Sequence, residues 1–281
     1  MTSIALITSI ESNRQNLNNQ QNIVSLDRLY EDEAISCFTS WRQKGGWLKD
    51  IPIYAMCPTR NTISDQTKCA LVDLGVTYNE EFHPITDTFT SGFINIPYVG
   101  KVYEQRLDVD ILIKTDLDMT LLRPLDEELV LSNSVVCGQY DDYCTKQQRS
   151  VQPGWANPFD TGFVISRKSS KFYELVFDRA YNIMVGNVID PVWEQVRSVT
   201  GEYYLEEYVV DMIYRESLAQ ITPIQRYQLG EGYTPVAEFS DQELSSVYFW
   251  HEHLIHDPNY NKVRQRVEYF NRMVKIKKDS K

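Results

Sequence analysis

Apolar segments with the length of strands alternate with segments of helical spacing over the first 115 residues. Parallel strands are joined by long crossovers that are usually helices, so this order predicts a parallel sheet with helices on its faces. Ser64 is predicted to cap the second helix, and Gly75 to follow its end. We expect strands at 4–7, 51–56, 76–82 and 110–115, and helices at 31–44, 64–74 and 97–107.

The second half of the chain has a less regular pattern. No linker rich in Pro, Gly or Ser divides it, and no segment repeats at a fixed period. The sequence therefore predicts a single α/β domain, an α/β/α sandwich around a mainly parallel, mixed sheet. We expect strands at 135–140, 159–166 and 247–253, helices at 168–184 and 202–214, a loop at 141–159, and loop and strand at 223–239.

The composition argues against several classes of protein. The chain has 28 Lys and Arg against 39 Asp and Glu, a net charge of −11, whereas a general nucleic-acid binder needs a basic face. No window approaches about 18 consecutive apolar residues, and the first residues lack the basic segment of a secretory signal. Five cysteines without a CxxC pair are typical of reduced thiols. We therefore expect a cytoplasmic protein that binds no nucleic acid.

The segment ILIKTDLDMT places two carboxylates, Asp116 and Asp118, directly after an apolar strand. In an open α/β sheet, ligands bind at the carboxyl ends of the strands. Two carboxylates at this spacing on a turning backbone converge on one hard cation, which can hold phosphate oxygens. The alternative is a solvated turn, because Asp-rich turns are common.

Two known patterns are similar to this segment. An apolar strand that ends in Asp-x-Asp resembles GT-A glycosyltransferases, where the motif binds a divalent metal and the pyrophosphate of a nucleotide sugar. DLDMT also resembles the Asp-x-Asp-x-Thr of haloacid-dehalogenase-like phosphatases, where the first Asp, here Asp116, is the nucleophile. That motif normally lies on the first strand, whereas three strand signals precede Asp116. The position favours the resemblance to the glycosyltransferases.

Other segments resemble the same family in the same order. The helix before the motif carries Lys101 and Arg106, and in related enzymes a cation on this helix reaches the donor. The segment PFDTGFVIS resembles the Asn-Thr-Gly-Val strand that lies under the donor sugar, with Asp160 in place of Asn. The segment YLEEYVVD lies where members carry an Asp-Gln or Asp-Glu pair at the start of a helix. The apolar strand VYFW is followed by His251 and His253, and members end a late strand in a metal-binding His.

The resemblance implies a set of site residues, each of which also has a simpler interpretation as a solvated or packing residue. Glu206 and Glu207 lie on the same helical turn, and helical geometry does not choose between them. Thr8 and Ser9 end the first strand and are expected to contact the base or ribose, or else to form only a turn. The expected catalytic residues are Glu207, Glu206 and Asp160, with Asp211 as a further alternative, and the expected metal ligands are Asp116, Asp118, His251 and His253, with His256 as the alternative. The residues expected at the nucleotide sugar are Thr8, Ser9, Lys101, Arg106, Asp116, Leu117, Asp118, Thr161 and Gly162.

The resemblance therefore implies a glycosyltransferase that needs Mn²⁺ or Mg²⁺ and moves a sugar from a nucleotide sugar, with UDP favoured on family grounds. The acceptor would be a glycan or another hydroxyl group, free, lipid-linked or protein-linked. Residues 1–256 would form the GT-A-like domain, with a nucleotide-binding half at 1–118 and an acceptor half at 119–256. The alternatives are a phosphatase that uses Asp116, and an inactive module that binds a sugar or nucleotide.

Residues 257–281 are predicted to form a basic C-terminal helix. Residues 262–281 contain eight Lys and Arg against two acidic residues. Val263, Val267, Phe270 and Val274 recur on one helical face. Such a helix can lie on an anionic membrane surface, but we favour a stripe that docks on the protein's own core, because four apolar residues are few for an anchor.

Overall fold

A seven-stranded sheet forms the centre of the protein in the computed structural model, which describes residues 2–11, 29–85, 94–140, 159–200, 204–230, 233–251 and 261–279. The strands are β1 (Ile4–Ser9), β2 (Ile53–Cys57), β3 (Val76–Glu80), β4 (Ile111–Thr115), β5 (Met119–Leu121), β6 (Val135–Gln139), β7 (Phe159–Arg167), β8 (Ile221–Ile224), β9 (Gln228–Gly230) and β10 (Phe249–His251). The helices are α1 (Leu29–Lys44), α2 (Asp65–Asp73), α3 (Asn95–Arg106), α4 (Glu127–Ser132), α5 (Phe172–Met184), α6 (Pro191–Thr200), α7 (Leu205–Arg215), α8 (Asp241–Ser246) and α9 (Lys262–Asp279).

The large sheet has the order β3-β2-β1-β4-β7-β6-β8. The first four strands are parallel, β7 is antiparallel to both β4 and β6, and β8 is parallel to β6. The carboxyl ends of β1, β2 and β4 therefore meet at one edge. Because β7 runs the other way, its beginning lies at that same edge, next to the end of β4.

Apolar cores cover both faces of this sheet. Alternation along β1 sends Ala5 and Ile7 to one core and Ile4 and Leu6 to the other. Residues of α3, α5, α6 and α7 pack on the first face, and residues of α1 and α2 pack on the second. The described part of the chain is thus an α/β/α sandwich around a mixed, mostly parallel sheet, as the sequence predicted.

A second, three-stranded sheet has the order β5-β10-β9. Strand β10 is antiparallel to β5 and parallel to β9, with His251 opposite Met119 and Gly230. Phe249 of this sheet packs in the core on the second face of the large sheet. The small sheet therefore brings the end of β10 back to the turn that follows β4.

Most of the elements expected in the first half are confirmed. Helix α2 begins after Ser64, whose side chain accepts a hydrogen bond from the Thr67 amide, and Gly75 follows it with φ +66°. In the second half, helix α6 was not predicted, although Val192, Val196 and Val199 in its sequence PVWEQVRSVT recur at spacings of four and three. The strand expected at 247–253 forms only at Phe249–His251 in the described residues.

The basic C-terminal helix forms as expected, but the docking predicted for its apolar stripe is wrong. Val263, Val267, Phe270 and Val274 are exposed by 53% to 72%. The helix packs instead through another face, on which Tyr269 is buried. Among the described residues, no helix is long and apolar enough to cross a membrane. Cys37, Cys57, Cys69 and Cys137 are free thiols.

Candidate metal centre

Two carboxylates and one imidazole meet at the edge formed by the end of β4. One ligand atom from each of Asp116, Asp118 and His251 lies within 4.8 Å of the others. Nε2 of His251 lies 3.1 Å from Oδ1 of Asp118. His251 is 2% exposed, whereas the two aspartates remain partly accessible. The three side chains could therefore hold one ion at the surface of the core, where a phosphate could reach it.

Backbone pairing fixes the turn that carries the carboxylates. The Asp116 amide donates to the Gly162 carbonyl at 2.8 Å, which continues the pairing between β4 and β7, and the Met119 amide donates to the Asp116 carbonyl at 3.3 Å. Met119 then starts β5 opposite His251 of β10. The turn between β4 and β5 thus holds Asp116 and Asp118 while the small sheet delivers His251 to them.

A buried hydrogen-bond network orients the imidazole of His251. Its Nδ1 lies 3.0 Å from Oε1 of Gln228 and 2.9 Å from the hydroxyl of Tyr233. Nε2 of Gln228 donates to Oδ2 of Asp160, so the amide must turn its oxygen towards Nδ1. In the neutral ring the proton then lies on Nδ1, which leaves the Nε2 lone pair directed towards Asp118, where a metal would need it.

Asp160 forms the base of this network. Its Oδ1 accepts from the Gly162 amide at 3.0 Å, and its Oδ2 also accepts from the Tyr233 hydroxyl at 3.1 Å. Both carboxylate oxygens are therefore used within the protein. These hydrogen bonds make Asp160 a residue that orients Gln228 and Tyr233, whereas the sequence had placed it among the expected catalytic residues.

The negative charge around His251 changes its basicity. Burial alone would lower the pKa of the imidazole, but the carboxylates of Asp118, Asp160 and Asp116 outweigh burial and raise it to about 9. Without a metal ion the imidazolium is therefore the stable form at neutral pH, paired with Asp118. A cation at this position replaces that proton.

A buried lysine lies beneath the aspartates. The side chain of Lys114 is 1% exposed, its ammonium lies 2.7 Å from Oδ1 of Asp116, and it also donates to the Thr161 carbonyl. Burial lowers the pKa of Lys114, but Asp116 and Glu206 raise it more strongly, so the ammonium stays charged. Lys114 thus neutralises one oxygen of Asp116 from the inner side and leaves the outer side of the cluster for a ligand.

The two glutamates at the start of α7 have different environments. Glu206 is 5% exposed and hydrogen-bonds Thr161, and burial raises its pKa to about 8 although Lys114 opposes the shift. Glu207 is half-buried and accepts from the Tyr140 hydroxyl at 2.9 Å. Burial and the charge of Asp160 raise the pKa of Glu207 well above its usual range. Glu207 is the more accessible of the two, a distinction that helical spacing did not make.

The donor set fits a divalent transition ion. Carboxylate oxygens suit Mg²⁺ and Mn²⁺, and the added imidazole nitrogen favours Mn²⁺. Gly162 keeps the space beside the carboxylates open, since a Cβ there would lie 3.0 Å from Oδ1 of Asp160 and 3.2 Å from Oδ2 of Asp116. The prediction of a divalent metal site is thus supported by the cluster, while the choice of ion stays a prediction.

The other residues expected at the donor are placed as follows. Thr8 is buried and donates to the Thr115 carbonyl at 3.0 Å, and Ser9 follows it at the end of β1. Leu117 packs partly into the core between the two aspartates. Thr161 and Gly162 lie on β7 beside β4, where the Thr161 carbonyl accepts from Lys114 and the Gly162 carbonyl accepts from the Asp116 amide.

Lys101 and Arg106 are not brought to the metal cluster. The ammonium of Lys101 lies 2.5 Å from Oδ1 of Asp178 and over the ring of Phe177, and the guanidinium of Arg106 pairs with Glu81. The alternative acid Asp211 pairs with Arg215 at 2.7 Å. His253 and His256 lie outside the described residues.

Three residues of the site were not predicted. Lys114 left a signal, because a lysine in the middle of the apolar strand ILIKT must be buried with a partner. No sequence pattern pointed to Gln228 and Tyr233, because their contacts with His251 depend on the pairing of β9 with β10. The chain matches no protein-family model, and no curated protein matches its sequence.

Proposed function

We propose that the protein is a metal-dependent glycosyltransferase that uses a nucleotide-sugar donor. The observation that carries this proposal is the convergence of Asp116, Asp118 and His251 at the carboxyl edge of a parallel sheet, with two buried or half-buried glutamates nearby. This edge is where open α/β sheets bind nucleotides. A donor with a diphosphate fits a site that has its own cation and acidic protein ligands.

Each part of the site has a role in this proposal. The bound ion would neutralise the departing nucleoside diphosphate. Asp116, Asp118 and His251 would hold it, and Lys114 would keep Asp116 in position from below. Glu207 would face the sugar or the acceptor hydroxyl, where a carboxyl group with a raised pKa can exchange a proton.

The donor and acceptor classes are part of the same proposal. UDP-sugars are favoured over GDP-sugars because of the resemblance stated for the Asp-x-Asp segment. The acceptor would be a hydroxyl group of a glycan, a lipid-linked saccharide or a protein. Transfer would break the bond between the anomeric carbon and the diphosphate oxygen and form one to the acceptor oxygen, whose proton is lost.

The test measures release of UDP from a panel of UDP-sugars with and without Mn²⁺. We expect hydrolysis or transfer that needs the metal, is lost in Asp118→Ala, and is retained in the exposed control Asp73→Ala. Thermal shift with UDP and Mn²⁺ gives a second readout, because a ligand that binds the native state raises its stability.

Other outcomes would replace the proposal. Hydrolysis of a phosphomonoester that needs Asp116, without any release of UDP, would indicate the phosphatase. Stabilisation by UDP-sugars with no turnover under any metal would indicate a binding module. Unchanged affinity for UDP and Mn²⁺ in Asp118→Ala would remove the assigned metal site altogether.

A further inference from the structure

The C-terminal helix α9 is fixed to the body of the protein by one face. The guanidinium of Arg272 donates to the carbonyls of Val236 and Phe239 and pairs with Asp241 at 2.6 Å. The ring of Tyr269 lies 6.3 Å from that of Trp250, and Arg266 lies over Trp250 at 5.3 Å. The orientation of the helix, and therefore the direction of its other faces, is set by these contacts.

A different face of α9 carries an apolar stripe that points away from the protein. The stripe consists of Val263, Val267, Phe270 and Val274, which are 72%, 53%, 55% and 53% exposed. They recur at spacings of four, three and four and so form one continuous line. Isolated apolar residues on a surface need no explanation, but a line of four on one helix is typical of an interaction surface.

Positive charge borders this stripe. The helix has seven Lys and Arg against two acidic residues, in a chain whose net charge is −11. Arg264, Lys275, Lys277 and Lys278 are exposed, and at 3.6 residues per turn Lys277 and Lys278 lie on opposite sides of the stripe. Apolar residues flanked by cations on a helix that lies flat on a surface match the boundary between lipid chains and anionic headgroups.

We propose that this face of α9 binds an anionic lipid surface. The four apolar side chains would enter the headgroup boundary, and the flanking cations would pair with lipid phosphates. A second copy of the chain fits less well, because joining two such stripes would bring the cationic borders of both helices together. The proposal does not depend on the catalytic activity of the protein.

The small sheet links this surface to the metal centre. Side chains alternate along β10, so Trp250 faces α9 while its neighbour His251 faces Asp118. Helix α9 and the candidate site therefore lie on the two sides of one three-stranded sheet.

The test is co-sedimentation of the full chain with vesicles of phosphatidylcholine alone or with about one third phosphatidylserine, at low and at physiological salt. We expect binding to the anionic vesicles only, stronger at low salt. The double variant Val267→Asp/Phe270→Asp should lose binding by at least tenfold. The variant Lys277→Gln/Lys278→Gln, which removes the cations on both borders, should lose it by about tenfold or more at low salt. The controls Val72→Asp and Lys49→Gln alter exposed residues elsewhere and should bind like the wild type.

Two results would overturn the proposal. One is no binding to anionic vesicles at low salt, or binding that the stripe variants leave unchanged. The other is a stable dimer without lipid, in analytical ultracentrifugation, that Val267→Asp/Phe270→Asp separates into monomers, since the stripe would then be covered by a second copy. Circular dichroism of the variants checks that loss of binding is not loss of the fold, and a folded variant that still binds equally well refutes the assignment.

Discussion

The ammonium of Lys114 lies 2.7 Å from Oδ1 of Asp116, with its side chain almost entirely removed from solvent. Burying a charged pair costs much of what its attraction returns, so such a pair is weak support for stability by itself. The pair instead positions Asp116. Lys114 also donates to the Thr161 carbonyl, and this hydrogen bond joins β4 to β7 directly under the candidate metal ligands.

Lys114→Met should destabilise the metal-free protein by about 3–5 kcal/mol, because it leaves the partly buried carboxylate of Asp116 without its partner. Saturating Mn²⁺ should then raise the melting temperature of the variant more than that of the wild type, since the ion replaces the missing charge. Thermal unfolding with and without metal measures both effects. Lys171→Met, at an exposed lysine, serves as the control and should change stability by less than about 0.5 kcal/mol.

The affinity for Mn²⁺ should rise with pH up to about 9, the raised pKa of His251, and level off above it. The reason is that the ion must displace the proton held between His251 and Asp118, at a cost of up to tenfold in affinity per pH unit. Calorimetry in buffers of different ionisation enthalpy should detect about one proton released at pH 7. An affinity that is flat from pH 7 to pH 9 would contradict the assignment of His251.

The raised pKa of His251 should also make the stability of the metal-free protein fall as the pH rises. A folded-state pKa above the unfolded value of 6.5 contributes stability that is complete below about 6.5 and is lost as the pH rises through about 9. The expected loss is about 3 kcal/mol, measured by urea unfolding without metal. His251→Gln should abolish this part of the loss and leave the part that comes from Glu206, whose raised pKa of about 8 lies in the same range.

Gln228→Leu should weaken Mn²⁺ binding by about 10- to 100-fold, because it removes the amide that directs Nδ1 of His251 and fixes the proton there. Gln242→Leu, on the exposed helix α8, is the matched control and should bind the ion normally. Equal affinities of the two variants would show that the Tyr233 hydroxyl alone orients the imidazole.

Gly162→Ala should lower metal affinity, because the new Cβ would lie 3.0 to 3.3 Å from Oδ1 of Asp160, Oδ2 of Asp116 and Sδ of Met119. Crowding of this kind typically costs about 1–3 kcal/mol. Gly186→Ala is a useful comparison, since φ +76° strains any side chain there although its surroundings are open. That variant should lose stability while its Mn²⁺ affinity stays at the wild-type value.

Glu207→Gln should reduce turnover much more than it weakens binding of the nucleotide sugar, if Glu207 acts at the reacting centre. Glu206→Gln should act mainly on stability, because Glu206 lies deeper, beside Thr161 and Lys114. Steady-state kinetics and donor affinity of both variants measure the contrast. A larger loss of turnover in Glu206→Gln would reverse the two roles.

The sequence was sufficient to predict the alternating strands and helices of the first half and the position of the two carboxylates at the end of β4. A strand that is apolar on both faces and ends in Asp116-Leu-Asp118 predicts its own position at the ligand edge of the sheet. His251 was within reach of the same reasoning only as one of several histidines, because its selection depends on the register between β10 and β5.

The remaining features depend on tertiary contacts. Helical periodicity identified the stripe of α9, but it could not show which face of the helix docks. The docked face is set by Arg272, which binds Val236, Phe239 and Asp241 of α8, and by Tyr269, which packs on Trp250 of β10. The engagement of Asp160 with Gln228 and Tyr233 likewise joins segments that are far apart in the sequence.

The pairing of β5 with β10 has a consequence for the order in which the protein matures. Asp116 and Asp118 are synthesised long before His251, and they meet it only after the small sheet has closed over a large separation in the chain. Such contacts form late, because the entropy of the intervening loop must be lost first. Tight metal binding would therefore indicate that the small sheet has formed. A nascent chain that has not yet reached β10 would contain both carboxylates and still lack the imidazole ligand.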